Sequence, residues 1–198
     1  MNRKVLKIWE SAALLAVSFV LFVGAWAEAR QEDISNGVIR LHVIAVSDDA
    51  QEQAIKMRVR DAVLGRLSPM LAGISDRGEA EAVLSGSLSE LGKAAASAAE
   101  GRAVTVALGK EVYPTRRYEG FTLPAGEYRS LRIILGEGQG HNWWCVAFPP
   151  LCTVEAGGEE LASVMSRESF AIVSEEEYEI RFRAVELWGE LKRWLKNK

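Results

Sequence analysis

Two cysteines and two histidines are the residues of this chain best suited to covalent or metal chemistry. Cys145 and Cys152 stand seven positions apart, and His42 and His141 complete the set. The four could ligate zinc, although their spacing matches no short metal motif such as Cys-x-x-Cys. A cysteine paired with a histidine could also act as the nucleophile of a hydrolase. The aromatic and proline neighbours of the cysteines are more typical of structural packing than of an activated thiolate.

The cysteine pair is better interpreted as a disulfide. The N-terminus of the chain predicts export, and oxidising compartments favour disulfides. Pro149 and Pro150 lie between Cys145 and Cys152 and can turn the chain back so that the sulfurs meet. Because sequence spacing does not set the Cβ geometry, buried free thiols stay the alternative. No catalytic, cofactor-binding or metal-binding residue is predicted.

A second group of residues is suited to recognition. Trp143 and Trp144 are adjacent in a predicted strand, so they point to opposite faces, and an exposed tryptophan is a strong candidate for a partner anchor. Asn142 precedes them. The alternative is that both tryptophans belong to the core. Arg40 and His42 share one face of another predicted strand, where they either contact a partner or bond within the fold.

The N-terminus directs the chain to a membrane. A basic head precedes an apolar run over residues 12–27 that ends in small residues, which is the pattern of a secretory signal. Small-x-small sequences predict cleavage after Ala27 or Ala29. The alternatives are an uncleaved signal anchor, although the run is short for a membrane span of about 20 residues, and a buried core helix, although nothing amphipathic interrupts the run. The basic head, which consists of Arg3, Lys4 and Lys7, predicts that residue 30 onward lies outside the cytoplasm.

Composition indicates a globular domain that does not bind nucleic acid. Hydrophobic residues make up 48% of the 198-residue chain and charged residues 26%, so a substantial core can form. The 24 basic and 27 acidic residues give a formal net charge of -3. A phosphate-binding protein usually carries an excess of basic residues.

The elements that must position these residues alternate in type along the chain. A strand is predicted over Val38–Val46, then a helix from Asp48 that ends near Pro69, then a second helix that begins at Asp76. Further strands are predicted over Ala103–Leu108, Glu111–Tyr118, Tyr128–Leu135 and Asn142–Phe148. This order predicts an α+β domain that has a mostly antiparallel sheet and two to three packed helices, preceded by a hydrophobic signal helix.

Three segments are expected along the chain. Residues 1–29 form the signal peptide or signal anchor, and residues 30–173 form the exported domain. Residues 174–198 form an amphipathic helix, with acidic residues at its start and lysines at its end as the helix dipole favours. We predict that its apolar face packs on the sheet; a membrane surface or a partner could bind the same face.

Several motifs carry a resemblance to a known family. The first consists of Val38–Ala45, Ser47-Asp48 and Lys56–Val63. The second consists of Leu123–Tyr128 and Leu131-Arg132. The third consists of Gly136–Gly138, Asn142–Val146 and Phe148–Cys152. In these stretches the chain resembles the stage II sporulation protein R family over residues 38–154, with a weaker similarity in Glu179–Leu187. Val46 departs from the pattern, because the family is expected to carry asparagine before the Ser-Asp pair. This departure weakens the expectation of a polar site in that loop.

The resemblance implies a signalling function rather than an enzymatic one. It implies that the protein is made in the forespore, is exported into the space between the two cell membranes, and activates a membrane-embedded aspartic-type protease. That protease would then remove the pro-segment of a mother-cell sigma factor. The competing hypotheses are an exported Cys-His or cell-wall hydrolase, and a structural envelope component held by an uncleaved N-terminal helix.

Overall fold

The computed structural model describes residues 3–118, 120–152 and 158–174, together with Trp194. Its helices are α1 (Arg3–Gly37), α2 (Ala50–Leu71), α3 (Arg77–Ala98), α4 (Gly158–Val164) and α5 (Arg167–Ser174). Its strands are β1 (Ile39–Ile44), β2 (Val104–Tyr113), β3 (Arg116–Tyr118), β4 (Phe121–Leu123), β5 (Gly126–Leu135) and β6 (Asn142–Phe148). The predicted α+β class is confirmed; besides the N-terminal hydrophobic helix α1, four helices are described where two to three packed helices were expected.

A four-stranded sheet in the order β2-β5-β1-β6 forms the centre of the molecule. β5 pairs antiparallel with β2, and β1 pairs antiparallel with β6. The exception is β1, which runs parallel to β5 in register from Ile39↔Arg129 to Ile44↔Ile134. The sheet is therefore mostly antiparallel, as predicted. β3 and β4 form a separate two-stranded hairpin.

Helices α2 and α3 cover one face of the sheet. The core between these helices and the sheet contains Leu41 and Val43 of β1 and Ile133 of β5, each completely buried. The predicted start of α3 is confirmed, since the Asp76 carboxylate accepts a hydrogen bond from the Glu79 backbone N–H at 2.8 Å. The predicted end of α2 at Pro69 is wrong, because the helix continues to Leu71.

Strand β2 corrects a second predicted boundary. Ala103–Leu108 and Glu111–Tyr118 were expected to be separate strands, but β2 is continuous from Val104 to Tyr113. β5 is also ten residues long and offers a partner to every residue of β2. Pairing with β5 therefore keeps β2 continuous through Gly109 and Lys110, where local propensity favours a break. The end of the second predicted strand becomes β3.

The described residues cover the other face of the sheet at one end. There, the C-terminal part of α1, the β3–β4 hairpin, α4 and α5 surround a second core, whose buried members are Ile34, Val38, Tyr113, Phe121, Leu123, Tyr128, Val146, Leu151, Leu161 and Val173. On the rest of this face the strands carry several polar residues, among them His42, Glu111 and Ser130. The expected boundary at residue 30 falls inside α1, and the helix predicted over 174–198 lies almost wholly outside the described residues.

Candidate functional site

The partly covered face of the sheet carries the polar residues of β1. Across the β1–β6 pair, Arg40 lies opposite Val146 and His42 lies opposite Trp144. Across the β1–β5 pair, Arg40 lies opposite Ser130. Residues that pair across a sheet share one face. The predicted common face of Arg40 and His42 is therefore confirmed, and Trp144 joins them there.

Arg40 is a completely buried cation held mainly by aromatic rings. Its guanidinium carbon lies 4.4 Å from the ring centroid of Tyr113, 5.2 Å from that of Tyr128 and 5.6 Å from that of Tyr118. Nε donates to the Cys145 carbonyl at 3.2 Å, and Nη2 donates to the Tyr118 hydroxyl at 2.6 Å. Nη1 has no hydrogen-bonding partner among the described residues. Of the two roles considered for Arg40, this geometry favours the one inside the fold.

His42 begins a hydrogen-bonded chain along the same face. Its Nδ1 lies 2.9 Å from Glu111 Oε1, and its Nε2 lies 2.9 Å from Asn142 Oδ1. Ser130 Oγ donates to the other carboxylate oxygen of Glu111 at 3.0 Å. Because the Ser130 proton is used in that bond, the Tyr113 hydroxyl donates to Ser130 Oγ at 2.6 Å. These bonds hold the His42 ring and the Asn142 amide in one orientation.

A surface cavity of about 460 Å³ opens beside this polar chain. It is lined by Asp48, Arg116, Gln139, Gly140, His141, Asn142 and Trp144. The Arg116 guanidinium carbon lies 3.8 Å from the centroid of the Trp144 ring, which is a cation–π contact. Asn142 is exposed and Trp144 is half-buried at this cavity. An aromatic ring and an amide from β6 and a cation from β3 thus meet at this cavity.

The two tryptophans of β6 lie on opposite faces, as predicted. Trp143 pairs with Val43 and packs against the core under α2 and α3. The Arg60 guanidinium of α2 lies 5.0 Å from its ring centroid. Both tryptophans are half-buried. Trp144 is the one that lines the cavity, which makes it the better candidate for a partner anchor.

The loop before β6 is tied to the start of α2. Asp48 was expected to cap that helix, but the N-cap residue is Asp49, whose side chain forms no capping bond. The Asp48 carboxylate instead accepts a hydrogen bond from the His141 backbone N–H at 2.6 Å. Lys56 Nζ donates to the His141 carbonyl at 2.9 Å, and burial lowers the pKa of Lys56. These contacts fix the rim of the cavity.

Six residues of this site were not singled out from the sequence: Glu111, Tyr113, Arg116, Tyr118, Tyr128 and Ser130. Each comes from a different strand than β1 or β6, and Glu111 stands 69 positions from His42. The available signal is strand alternation, since residues 111 and 113 of the predicted strand Glu111–Tyr118 must share a face. Nothing in the sequence showed that this face would meet the face of Arg40 and His42.

The cysteines lie at the other end of β6. Their sulfur atoms are at disulfide distance and their Cα atoms are 5.8 Å apart, inside the usual range of about 4.4–6.8 Å for bridged cysteines. Cys145 is buried opposite Leu41, on the face that α2 and α3 cover. Cys152 packs against the same core. The geometry is compatible with the predicted bridge.

Removing the bridge is expected to destabilise the domain moderately. Replacing both cysteines with serine should lower the free energy of unfolding by about 2–3 kcal/mol, because the unfolded chain regains the freedom of a short loop. Chemical denaturation of the wild type and the double variant measures this difference. Alkylation of the unfolded wild type without reductant should modify neither thiol. Two labelled thiols would contradict the bridge.

The zinc and hydrolase hypotheses require cysteine and histidine side chains to lie together, but the structure separates them. His42 lies on the polar face, whereas Cys145 faces the helices, and His141 lies beside Asp48. Among the described residues no three histidine, cysteine or acidic side chains are grouped as metal ligands. The other ring nitrogen of His42, Nε2, bonds to the amide oxygen of Asn142 rather than to a hydroxyl or a thiol.

The tyrosines around Arg40 should make the fold sensitive to alkali. Burial raises the pKa of Tyr113, Tyr118 and Tyr128, that of Tyr128 to about 12. An unfolded tyrosine titrates near pH 10. The stability contributed by the neutral phenols is therefore complete below about pH 10 and is lost as the pH rises toward 12.

We expect the free energy of unfolding to fall in this window by about 1.4 kcal/mol per pH unit for each of Tyr113 and Tyr128, with a further contribution from Tyr118. Denaturant titrations at several pH values, with phenolate absorbance as a second signal, measure the slope. Tyr128→Phe should reduce the slope by the contribution of one phenol. Titration of all tyrosines near pH 10 without loss of stability would contradict the prediction.

Comparisons with known proteins identify the family. The model of the stage II sporulation protein R family matches residues 35–157, which include the whole sheet and the polar face described above. The chain is 36% identical to stage II sporulation protein R of Bacillus subtilis (strain 168) over 141 residues. That alignment covers 69% of this chain and 63% of the relative, so the chain matches less than two thirds of the relative's length. No solved structure matches the chain. This protein belongs to the stage II sporulation protein R family.

Proposed function

We propose that this protein is an exported sporulation signal that activates a membrane-embedded aspartic-type protease. In this proposal it leaves the forespore and acts from the intermembrane space. The protease then processes a pro-sigma factor in the mother cell. The observation that carries the proposal is the family match over residues 35–157, because that range contains the complete polar face and its cavity.

The geometry of the polar face supports recognition rather than catalysis. Trp144 and Arg116 form a stacked pair at the cavity, and Asn142 is held there through His42. Aromatic and arginine side chains of this kind dominate binding energy in protein interfaces. Because Glu111 and Ser130 fix the orientation of His42, the surface is organised before a partner arrives, which lowers the entropy cost of binding.

Activation requires more than binding. A ligand shifts a protease to its active state only by the difference between its affinities for the active and inactive states. Direct docking of the Trp144 cavity on the active conformation would supply that difference. Stabilisation of a protease dimer by the same surface would have the same effect.

Reconstitution in a non-sporulating host tests the proposal. The protease and its pro-sigma substrate would be co-expressed with the full chain, with a form that lacks residues 1–27, or with neither. Processing that requires the full, exported chain supports an activating ligand outside the cytoplasm. An absence of processing by a folded, exported protein would contradict the proposal and reopen the hydrolase hypothesis.

A further inference from the structure

We propose that the cavity beside Trp144 is a carboxylate-binding site, which receives an acidic side chain of the partner protein. Arg116 and the amide of Asn142 are the groups that bind this carboxylate. The inference rests on the proposed function for the identity of the partner, which is the membrane-embedded protease. The site itself belongs to this chain, so its chemistry can be tested without the protease.

Arg116 is the cation of the cavity, and the fold leaves its charge unopposed. Its guanidinium carbon lies over the Trp144 ring, 3.8 Å from the ring centroid. Among the described residues no acid forms an ion pair with it, and its Nε is buried without a hydrogen-bonding partner. An unpaired buried donor is costly. A carboxylate can accept from Nε and from a terminal nitrogen of the same guanidinium at once, which would satisfy both the charge and the donor.

Asn142 adds a second donor whose orientation is fixed. Its Oδ1 lies 2.9 Å from His42 Nε2, which directs the Nδ2 amino group of the amide away from the histidine. Glu111 lies 2.9 Å from the other ring nitrogen of His42 and holds the ring in place. Asn142 is exposed and lines the cavity. An amino group and a guanidinium both donate hydrogen bonds, so together they select a ligand that only accepts them, as an ionised carboxylate does.

The charges at the rim of the cavity favour an anion. Among the described residues that line it, only Asp48 is acidic. Its carboxylate lies 2.6 Å from His141 Nδ1 and accepts from the His141 backbone N–H. Lys56 Nζ donates to the His141 carbonyl; burial lowers the pKa of Lys56, and the charge of Asp48 opposes that lowering. Asp48 is therefore balanced by a cation of its own chain, whereas Arg116 has no such counterpart.

Glu111 lies behind His42 and is also engaged. One of its carboxylate oxygens accepts from the Ser130 hydroxyl, and the other faces His42 and lies 4.0 Å from Arg132 Nη1. The chain as a whole carries a formal net charge of -3. A cavity with an unopposed cation thus reverses the average charge of the protein, and such a local reversal steers acidic partners and fixes their register.

The size of the cavity suits an acidic side chain of a protein rather than a free anion. Its volume of about 460 Å³ is far larger than a carboxylate group, and sites of this size usually enclose apolar groups together with a few polar ones. The Trp144 ring supplies an apolar wall for the CH₂ groups of an aspartate or glutamate. Phosphate sites commonly use helix N-termini or clusters of cations, whereas the described lining contains one arginine.

Binding of short peptides to the detergent-solubilised full chain tests the site. The probe is an acetylated and amidated Gly-Gly-Glu-Gly-Gly peptide, its control carries glutamine in place of the glutamate, and inorganic phosphate is the free anion. NMR signals of the Asn142 side-chain amide and the Trp144 indole N–H report binding. We expect saturable shifts, with a Kd about tenfold lower for the acidic peptide than for its control. Equal affinity for the two peptides, tighter binding of phosphate, or no saturable shift with the acidic peptide would overturn the proposal.

Three substitutions assign the binding to the named residues. Arg116→Gln removes the cation, and Asn142→Asp replaces the N–H donor with an anion while it keeps an oxygen toward His42. Each should raise the Kd for the acidic peptide by about tenfold or more. Arg66→Gln removes the same charge from an exposed position on α2 and should leave the Kd unchanged. Unchanged affinity in a folded Arg116→Gln variant would overturn the assigned site.

The co-expression assay separates this inference from the proposed function. Where the wild type supports processing, Arg116→Gln should lower processing by about tenfold at an equal amount of exported protein. Normal processing by this variant would overturn the assignment of the carboxylate to the protease and would leave the proposed function intact. If the wild type supports no processing, the proposed function fails, and the peptide measurements still decide whether the cavity binds a carboxylate.

Discussion

Replacing Trp144 with alanine is expected to lower pro-sigma processing at least tenfold while the domain stays folded. The Trp144 ring lines the cavity and supports the Arg116 guanidinium, so its removal eliminates both an aromatic anchor and the partner of a cation. Truncation of such a hot-spot residue commonly costs about 2 kcal/mol or more, which exceeds a tenfold loss of affinity. Processing in the co-expression assay, divided by the amount of exported protein, measures the effect.

Trp143→Ala is the matched control for this prediction. Trp143 has the same size and half-buried class, but it packs against the core under α2 and α3, whereas Trp144 borders the second core and lines the cavity. Its removal should lower the melting temperature, and any loss of processing should follow the loss of folded protein. Unchanged processing in both variants would remove this segment from the proposed interface.

Replacing Arg40 with alanine is expected to cost about 3–5 kcal/mol of stability, the largest effect of any substitution proposed for this chain. The substitution removes contacts with three tyrosine rings and leaves a cavity in the second core. It also leaves the Cys145 carbonyl and the Tyr118 hydroxyl without their present donor. Chemical denaturation of the exported domain measures the change.

Two further substitutions separate volume from charge at this position. Arg40→Met keeps much of the side-chain volume. The difference in free energy of unfolding between this variant and the wild type therefore reports the loss of the guanidinium. Arg66→Ala removes an exposed arginine from α2 and should change stability by less than about 0.5 kcal/mol. A loss below about 1 kcal/mol for Arg40→Ala would contradict the structural role assigned to this residue.

Elements whose residues repeat with a clear period were predicted closely. β6 was placed at Asn142–Phe148 without error, and the cap of α3 at Asp76 was placed correctly. Errors arose where distant residues override local preference. Leu67 and Leu71 are buried against the core, and their burial carries α2 past Pro69. β5 holds β2 straight through Gly109.

The candidate site shows the same division. Strand alternation was enough to place Arg40 with His42 and to separate Trp143 from Trp144. It did not reveal that the face of Arg40 would be lined by tyrosines from β2, β3 and β5, or that Glu111 would hold His42. Each of those contacts joins different strands, and the order of the strands in the sheets cannot be predicted from any single segment of the sequence.

The sequence by itself determined the α+β class, the apolar N-terminal helix, the alternation of faces on β1 and β6, and the family. These are properties of contiguous residues, since apolar periodicity and motif content need no knowledge of distant partners. Only the tertiary structure decided that β1 lies parallel to β5, that Arg40 is enclosed, and that α1 continues past Ala27 to pack on the domain. Those features depend on which distant surfaces bury each other, and burial is settled only when the whole chain has folded.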